Sequence, residues 1–197
     1  PFTFDAGGKL APIDWTAYDA ALAPWVDGTK FGDGTPVTKF NVDSFRPGYG
    51  QGSMTADQWA QAAAVFAQHL EDKGWWDRAY VYAVDEPWLN GGDKTYDQIK
   101  ADADLLNKYT DLWKGHVLIT GPYDPRIAGD VGIWCPVTPM YEDWFYSGAR
   151  KPGRKEYEER FALGEALWFY VCNADFPPYA GYDANVAGNL QAGRGYY

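Results

Sequence analysis

Only two cysteines, two histidines and two methionines occur among 197 residues, and that scarcity removes whole classes of chemistry. A structural zinc site draws its four ligands from closely spaced pairs. Here Cys135 and Cys172 stand 37 positions apart, His69 and His116 are isolated, and no carboxylate spacing completes a set, so no metal is expected. The two cysteines could share a disulfide if their strands are neighbours, but the sequence decides neither that bond nor the redox compartment. No glycine-rich phosphate loop follows a strand, Gly7-Gly8 and Gly91-Gly92 reading as turns, so no cofactor is expected. No apolar run approaches a membrane span, and no charged segment followed by an apolar core opens the chain at Pro1. Positive charge is short too: 17 Lys and Arg face 27 Asp and Glu, giving a net charge of −10 and a pI near 4.5. Nucleic acid and anionic membranes are therefore poor partners. The cluster Arg150, Lys151, Arg154 and Lys155 reads as a solvated loop and helix start.

What the chain has in quantity is apolar and aromatic surface: 46% of residues are hydrophobic and 18% aromatic, enough for one sizeable core. Residues 1–197 read as a single domain without internal repeats or a low-complexity linker. Asp14 is placed to cap a helix over 15–23 that Pro24 ends or kinks. Residues 37–42 read as a strand leading into the loop Arg46-Pro47-Gly48-Tyr49-Gly50. Thr55 and Gln58 form a capping box for a helix whose core stripe is Trp59, Ala62, Ala63, Phe66 and Leu70, stopped by Lys73-Gly74. A strand over 79–84 follows, then a second capping box, Thr95 with Gln98, for a helix reaching about Tyr109 with Ile99, Leu105, Leu106 and Tyr109 toward the core. Strands over 116–120 and 131–134, a charged helix over 154–163 and a strand over 166–171 complete the pattern. Alternating strands and helices imply parallel pairing through right-handed crossovers, an α/β fold.

The run Tyr80-Val81-Tyr82-Ala83-Val84-Asp85-Glu86-Pro87-Trp88 carries the chemistry. Strand alternation puts Tyr80, Tyr82 and Val84 on one face and Val81, Ala83 and Asp85 on the other, and Pro87 ends the ladder. The strand thus delivers two adjacent carboxylates to its own carboxyl tip, where sheets of this class bind ligands. Adjacent carboxylates that are partly buried divide into an acid and an anion, the division that cleavage of a glycosidic bond requires. A solvated Asp-Glu pair opening a loop is the alternative.

The segment 82–88, the segment Asp130-Val131-Gly132-Ile133-Trp134-Cys135-Pro136, and Gly164-Glu165-Ala166-Leu167-Trp168-Phe169-Tyr170-Val171-Cys172 occur in an order and spacing that resemble the catalytic domain of glycoside hydrolase family 123. The opening, Phe4-Asp5-Ala6-Gly7-Gly8-Lys9-Leu10 followed by Ile13-Asp14-Trp15-Thr16-Ala17-Tyr18-Asp19, is similar to that domain as well. The resemblance implies a (β/α)8 TIM-barrel fold and a retaining enzyme that removes terminal β-linked N-acetylhexosamine, N-acetylgalactosamine in that family, with help from the substrate's own acetamido group. It implies Asp85 as the group that stabilises the acetamido nucleophile and Glu86 as the general acid and base. Such an enzyme is expected to be extracellular or periplasmic. Five strands are found where a barrel has eight. The expected fold is therefore an incomplete barrel, the C-terminal portion of the domain. Its first strands would lie upstream of Pro1, and its open edge would be covered by that missing part or by a second chain. A smaller open sheet with residues 2–4 as an added strand is the alternative.

Aromatic rings supply the flat apolar surfaces on which a pyranose stacks. Trp88, Trp134, Trp168 and Tyr170 lie at or near strand ends and are the candidate sugar platform, whereas Trp15, Trp25, Trp59 and Trp113 are assigned to packing. Tyr123, Asn173 and Asp175, just past strands, are candidates for bonding sugar hydroxyls, and equally suit turns. Glu142 and Asp143 form a second acidic pair, expected to be solvated. Two other readings stay open: a glycosidase with two protein carboxylates, and a noncatalytic carbohydrate-binding or structural relative of the barrel.

Overall fold

The computed structural model describes residues 2–42, 45, 54–137 and 154–170. Over them run helix α1 (Thr16–Val26), strand β1 (Phe40–Asn41), α2 (Ala56–Asp72), β2 (Ala79–Asp85), α3 (Asp93–Leu106), β3 (Val117–Thr120), β4 (Ile133–Cys135), α4 (Arg154–Ala162) and β5 (Ala166–Leu167). The five strands form one sheet in the order β1-β2-β3-β4-β5, every neighbouring pair parallel. Parallel neighbours need long crossovers. Helix α2 makes the first, α3 the second and α4 the last, while β3 and β4 are joined through a short 3₁₀ turn, Pro125–Ile127. A doubly wound sheet reverses its strand order at a switch point. This sheet never reverses, so it is built like consecutive units of a barrel: five parallel strands with helices, an α/β fold consistent with part of a (β/α)8 barrel.

The two faces of the sheet hold two separate apolar clusters. Ala79, Val81, Ala83, Val117, Ile119 and Trp134 pack with Trp59, Ala62, Ala63, Phe66 and Leu70 of α2 and with Ile99 and Leu106 of α3. Tyr80, Tyr82, Leu118, Ile133, Cys135, Ala166, Trp168 and Tyr170 pack together on the opposite face. Helix α2 begins as its sequence dictates: Thr55 Oγ1 accepts the Gln58 N–H at 3.2 Å and Gln58 Oε1 accepts the Thr55 N–H at 3.0 Å. It ends before Lys73, with Gly74 at φ 69°.

Several local expectations are corrected. Helix α1 continues past Pro24 to Val26, because only its last turn follows the proline and the Asp27 N–H still closes on the Ala23 carbonyl at 2.8 Å. The second capping box does not form: α3 starts at Asp93 after Gly92, which has φ 56°, leaving Thr95 inside the helix with its hydroxyl donated to the Asn90 carbonyl at 2.6 Å. Tyr109 lies beyond α3, 41% exposed, donating its hydroxyl to Asp57. Trp25 is not a core residue either; it is 42% exposed and meets the Phe31 ring edge-on. Cys135 is buried on β4, whereas Cys172 lies outside the described residues, as do residues 46–50, Arg150, Lys151, Glu142, Asp143, Asn173 and Asp175.

Candidate active site

Strand β2 carries Asp85 to the carboxyl tip of the sheet, beside Thr120 at the tip of β3. Strict alternation would have put Asp85 on the helix-covered face. A register shift prevents this: Tyr82 pairs with Leu118, Val84 with Ile119 and Asp85 with Thr120, so β2 holds one more residue than β3 over the same length. Ala83 and Val84 both turn into the helix-side core, and Asp85 returns to the face of Tyr80 and Tyr82. Re-aiming a side chain is what such bulges do. The Tyr82 hydroxyl consequently lies 2.7 Å from Asp85 Oδ1, Thr120 Oγ1 lies 2.8 Å from the same oxygen, and the two hydroxyls are 2.8 Å apart. Burial, with Asp85 beside it, raises the pKa of Tyr82 well above the ordinary phenol range, so its hydroxyl stays a donor. On the same face burial pushes the Cys135 thiol up to about 12, and it stays neutral.

Glu86 follows with φ 44°, the left-handed region that non-glycine residues seldom occupy and that costs on the order of 1–2 kcal/mol. Its N–H is held by the Thr120 carbonyl at 3.0 Å and by Thr120 Oγ1 at 3.1 Å. The sharp turn is stitched onward by the Leu89 and Asn90 N–H groups on the Glu86 carbonyl, both at 2.9 Å, and by Asn90 Nδ2 on the Asp85 carbonyl at 2.7 Å. The Glu86 carboxylate accepts the hydroxyl of Tyr170, which reaches it from beyond β5.

Of the aromatic candidates, Tyr170 and Trp168 lie on the acid-bearing face, half-buried, with Trp168 edge-on to Tyr80 at 5.0 Å. Trp88 is half-buried in the turn after the acids, its ring close against Gly121; a Cβ on Gly121 would stand 2.6 Å from a ring carbon. The Trp88 indole N–H is buried without an acceptor among the described residues. Trp134 is a packing residue instead. Ile133 and Cys135 take the acid-bearing face, so alternation sends Trp134 to the other, where it is 1% exposed with Nε1 bonded to Glu165 Oε2 at 2.5 Å. Tyr123 joins it there: its ring is edge-on to Trp134 at 5.0 Å, the Arg160 guanidinium lies over it at 5.4 Å, and its N–H donates to the Tyr157 hydroxyl at 3.1 Å. Buried Trp134 offers no face to a ligand, Tyr123 is half-buried against it, and Asn173 lies outside the described residues.

A hollow of about 180 Å³ lined by Phe2, Trp15, Tyr18, Phe45 and Phe66 is not bordered by either carboxylate. The segments 46–53, 138–153 and 171–197, which follow the tips of β1, β4 and β5, lie outside the described residues. Thr120 and Asn90 were missed as site residues; the available signal was a lone hydroxyl ending an otherwise apolar strand, directly before Gly121-Pro122. No group of three His, Cys, Asp or Glu among the described residues could hold a metal ion, and no described helix is long and apolar enough to cross a membrane.

No known family profile matches the chain, and no curated protein does. Among solved structures, a family 123 glycoside hydrolase from Clostridium perfringens, analysed for glycolipid glycan hydrolysis, superposes with a TM-score of 0.52 at 16% identity over 89% of this chain and 32% of that one. At this identity the likeness shows the fold, and the chain spans about a third of the length of that neighbour.

Proposed function

We propose that this chain carries the acid pair of a retaining glycoside hydrolase that removes terminal β-linked N-acetylhexosamine, of the N-acetylgalactosamine type, by substrate-assisted catalysis. The observation that carries the reading is that two adjacent carboxylates share one strand tip and meet different partners there. Asp85 has Oδ1 fixed between two hydroxyls, which leaves Oδ2 to accept the N–H of an acetamido group. Glu86 receives the Tyr170 hydroxyl on Oε1, which leaves its other oxygen to carry the proton for a leaving group. The acetamido oxygen attacks the anomeric carbon as Glu86 protonates the departing oxygen, and Asp85 steadies the positive charge on the cyclised ring. Glu86 then takes a proton from water, which opens the ring with the β configuration retained. The fold neighbour's chemistry supports this reading, as does the placement of Trp88, Trp168 and Tyr170, which we assign to sugar contact. A glycan or glycoconjugate is the substrate, met in an extracellular or periplasmic setting.

Two nitrophenyl β-glycosides of the galacto series that differ only in an acetamido or a hydroxyl group at the second carbon test the reading. The full-length protein should hydrolyse the acetamido sugar and lose roughly three orders of magnitude or more on the other, since a well-placed internal nucleophile is worth at least that. Comparable rates on both would show a nucleophile supplied by the protein.

A further inference from the structure

The loop that carries Glu86 and the side chain of Asp85 both end on one residue of the neighbouring strand. Thr120 Oγ1 lies 2.8 Å from Asp85 Oδ1 and 2.8 Å from the Tyr82 hydroxyl, and it accepts the Glu86 N–H at 3.1 Å while the Thr120 carbonyl accepts the same N–H at 3.0 Å. We propose that Thr120 is the positioning residue that fixes the two carboxylates relative to each other, a role that rests on the glycosidase reading of the pair. One hydroxyl proton and one lone pair suffice for this: the proton goes to Asp85 and the lone pair meets the Glu86 N–H, while the Tyr82 hydroxyl gives its own proton to Asp85. Thr120 itself is set by the sheet, where it pairs with Asp85 on one side and with Cys135 on the other. It touches neither sugar nor leaving group in this scheme and acts only through the carboxylates.

Two independent strains make the tie necessary. Glu86 occupies a backbone region that repels side chains, so a bond closing its N–H onto β3 keeps the turn from relaxing. Asp85 reaches this face only through the bulge, and its side chain is exposed, so without a donor on Oδ1 the carboxylate would rotate among solvated positions. Tyr82 meets the Asp85 carboxylate and Asn90 meets the backbone carbonyls of both acids; the hydroxyl that meets both the Asp85 carboxylate and the Glu86 N–H is that of Thr120.

The test is Thr120→Val against Thr120→Ser in the full-length protein, assayed on an alkyl N-acetyl-β-galactosaminide, whose leaving group needs a proton, beside Asp85→Asn and Glu86→Gln. Valine keeps the strand-forming shape and removes only the hydroxyl. It should lower kcat about 10- to 100-fold, the scale of one lost hydrogen bond to a charged group, with KM changed less than about threefold. Serine should restore kcat to within about threefold of the parent, which a packing role for the threonine methyl would not allow. Wild-type kcat in Thr120→Val, with both carboxylate variants inactive, overturns the positioning role and leaves the glycosidase reading standing. Full activity in the carboxylate variants overturns both. If Thr120→Val fails to fold, Thr120→Ala takes its place under the same two criteria.

Discussion

Glu86→Gln loses about 10²- to 10⁴-fold in rate on an N-acetylhexosaminide with a poor leaving group, the range a positioned general acid supplies. The loss should be far smaller on a nitrophenyl glycoside, whose leaving oxygen departs with little protonation. The structural basis is narrow: Glu86 sits on a turn locked by its own N–H and carbonyl, and its carboxyl group meets the Tyr170 hydroxyl through one oxygen. Glutamine preserves that contact and the shape of the turn but offers no acidic proton, so the fold and KM should be nearly unchanged while the chemical step fails. Full turnover of the unactivated sugar by Glu86→Gln would place the acid elsewhere.

Asp85→Asn, in contrast, should damage both substrates alike, by about 10²- to 10³-fold, equivalent to roughly 3–4 kcal/mol of lost charge stabilisation. The positive charge on the cyclised acetamido group develops whatever the leaving group is, and an amide cannot balance it. Asparagine can still accept from the Tyr82 and Thr120 hydroxyls through its carbonyl oxygen, so the loss should not be one of folding, and thermal unfolding should move little. A rate on the nitrophenyl sugar that survives Asp85→Asn while the unactivated sugar is lost would make Asp85 a partner of the acid rather than of the nucleophile.

The period-2 run from Tyr80 and the apolar stripe of α2 were legible because each is a strong local pattern tied to one buried face. The Asp-Glu tip was legible because a proline stops the strand there. The face on which Asp85 emerges was not. A bulge leaves no mark in the residues of its own strand; it is set by how Val81 and Asp85 pair with Val117 and Thr120, a tertiary relation. The same limit explains Trp134, whose side follows from Ile133 and Cys135 taking the acid-bearing face, and Tyr123, whose ring was free in sequence and is covered in the fold by Trp134 and Arg160. The second capping box failed for a local reason: Gly91 and Gly92 both adopt positive φ, and the helix starts as soon as they have turned the chain, two residues before Thr95. Thr120 became visible only once β3 lay beside β2, since nothing in Val117-Leu118-Ile119-Thr120 announces that its last hydroxyl will meet two acids.

Whether Asp85 serves the cyclised acetamido group is answered without turnover by a stable bicyclic mimic of that species, with sulfur in place of the ring oxygen on a galacto-configured sugar. Calorimetric titration of the full-length protein should show the mimic binding at least about 100-fold more tightly than N-acetylgalactosamine, as expected for a ligand that resembles the intermediate rather than the substrate. The same titration with Asp85→Asn should lose that advantage, while Glu86→Gln keeps most of it. Equal affinity of the parent and Asp85→Asn for the mimic, or no binding by either, would mean that Asp85 does not hold the cyclised species.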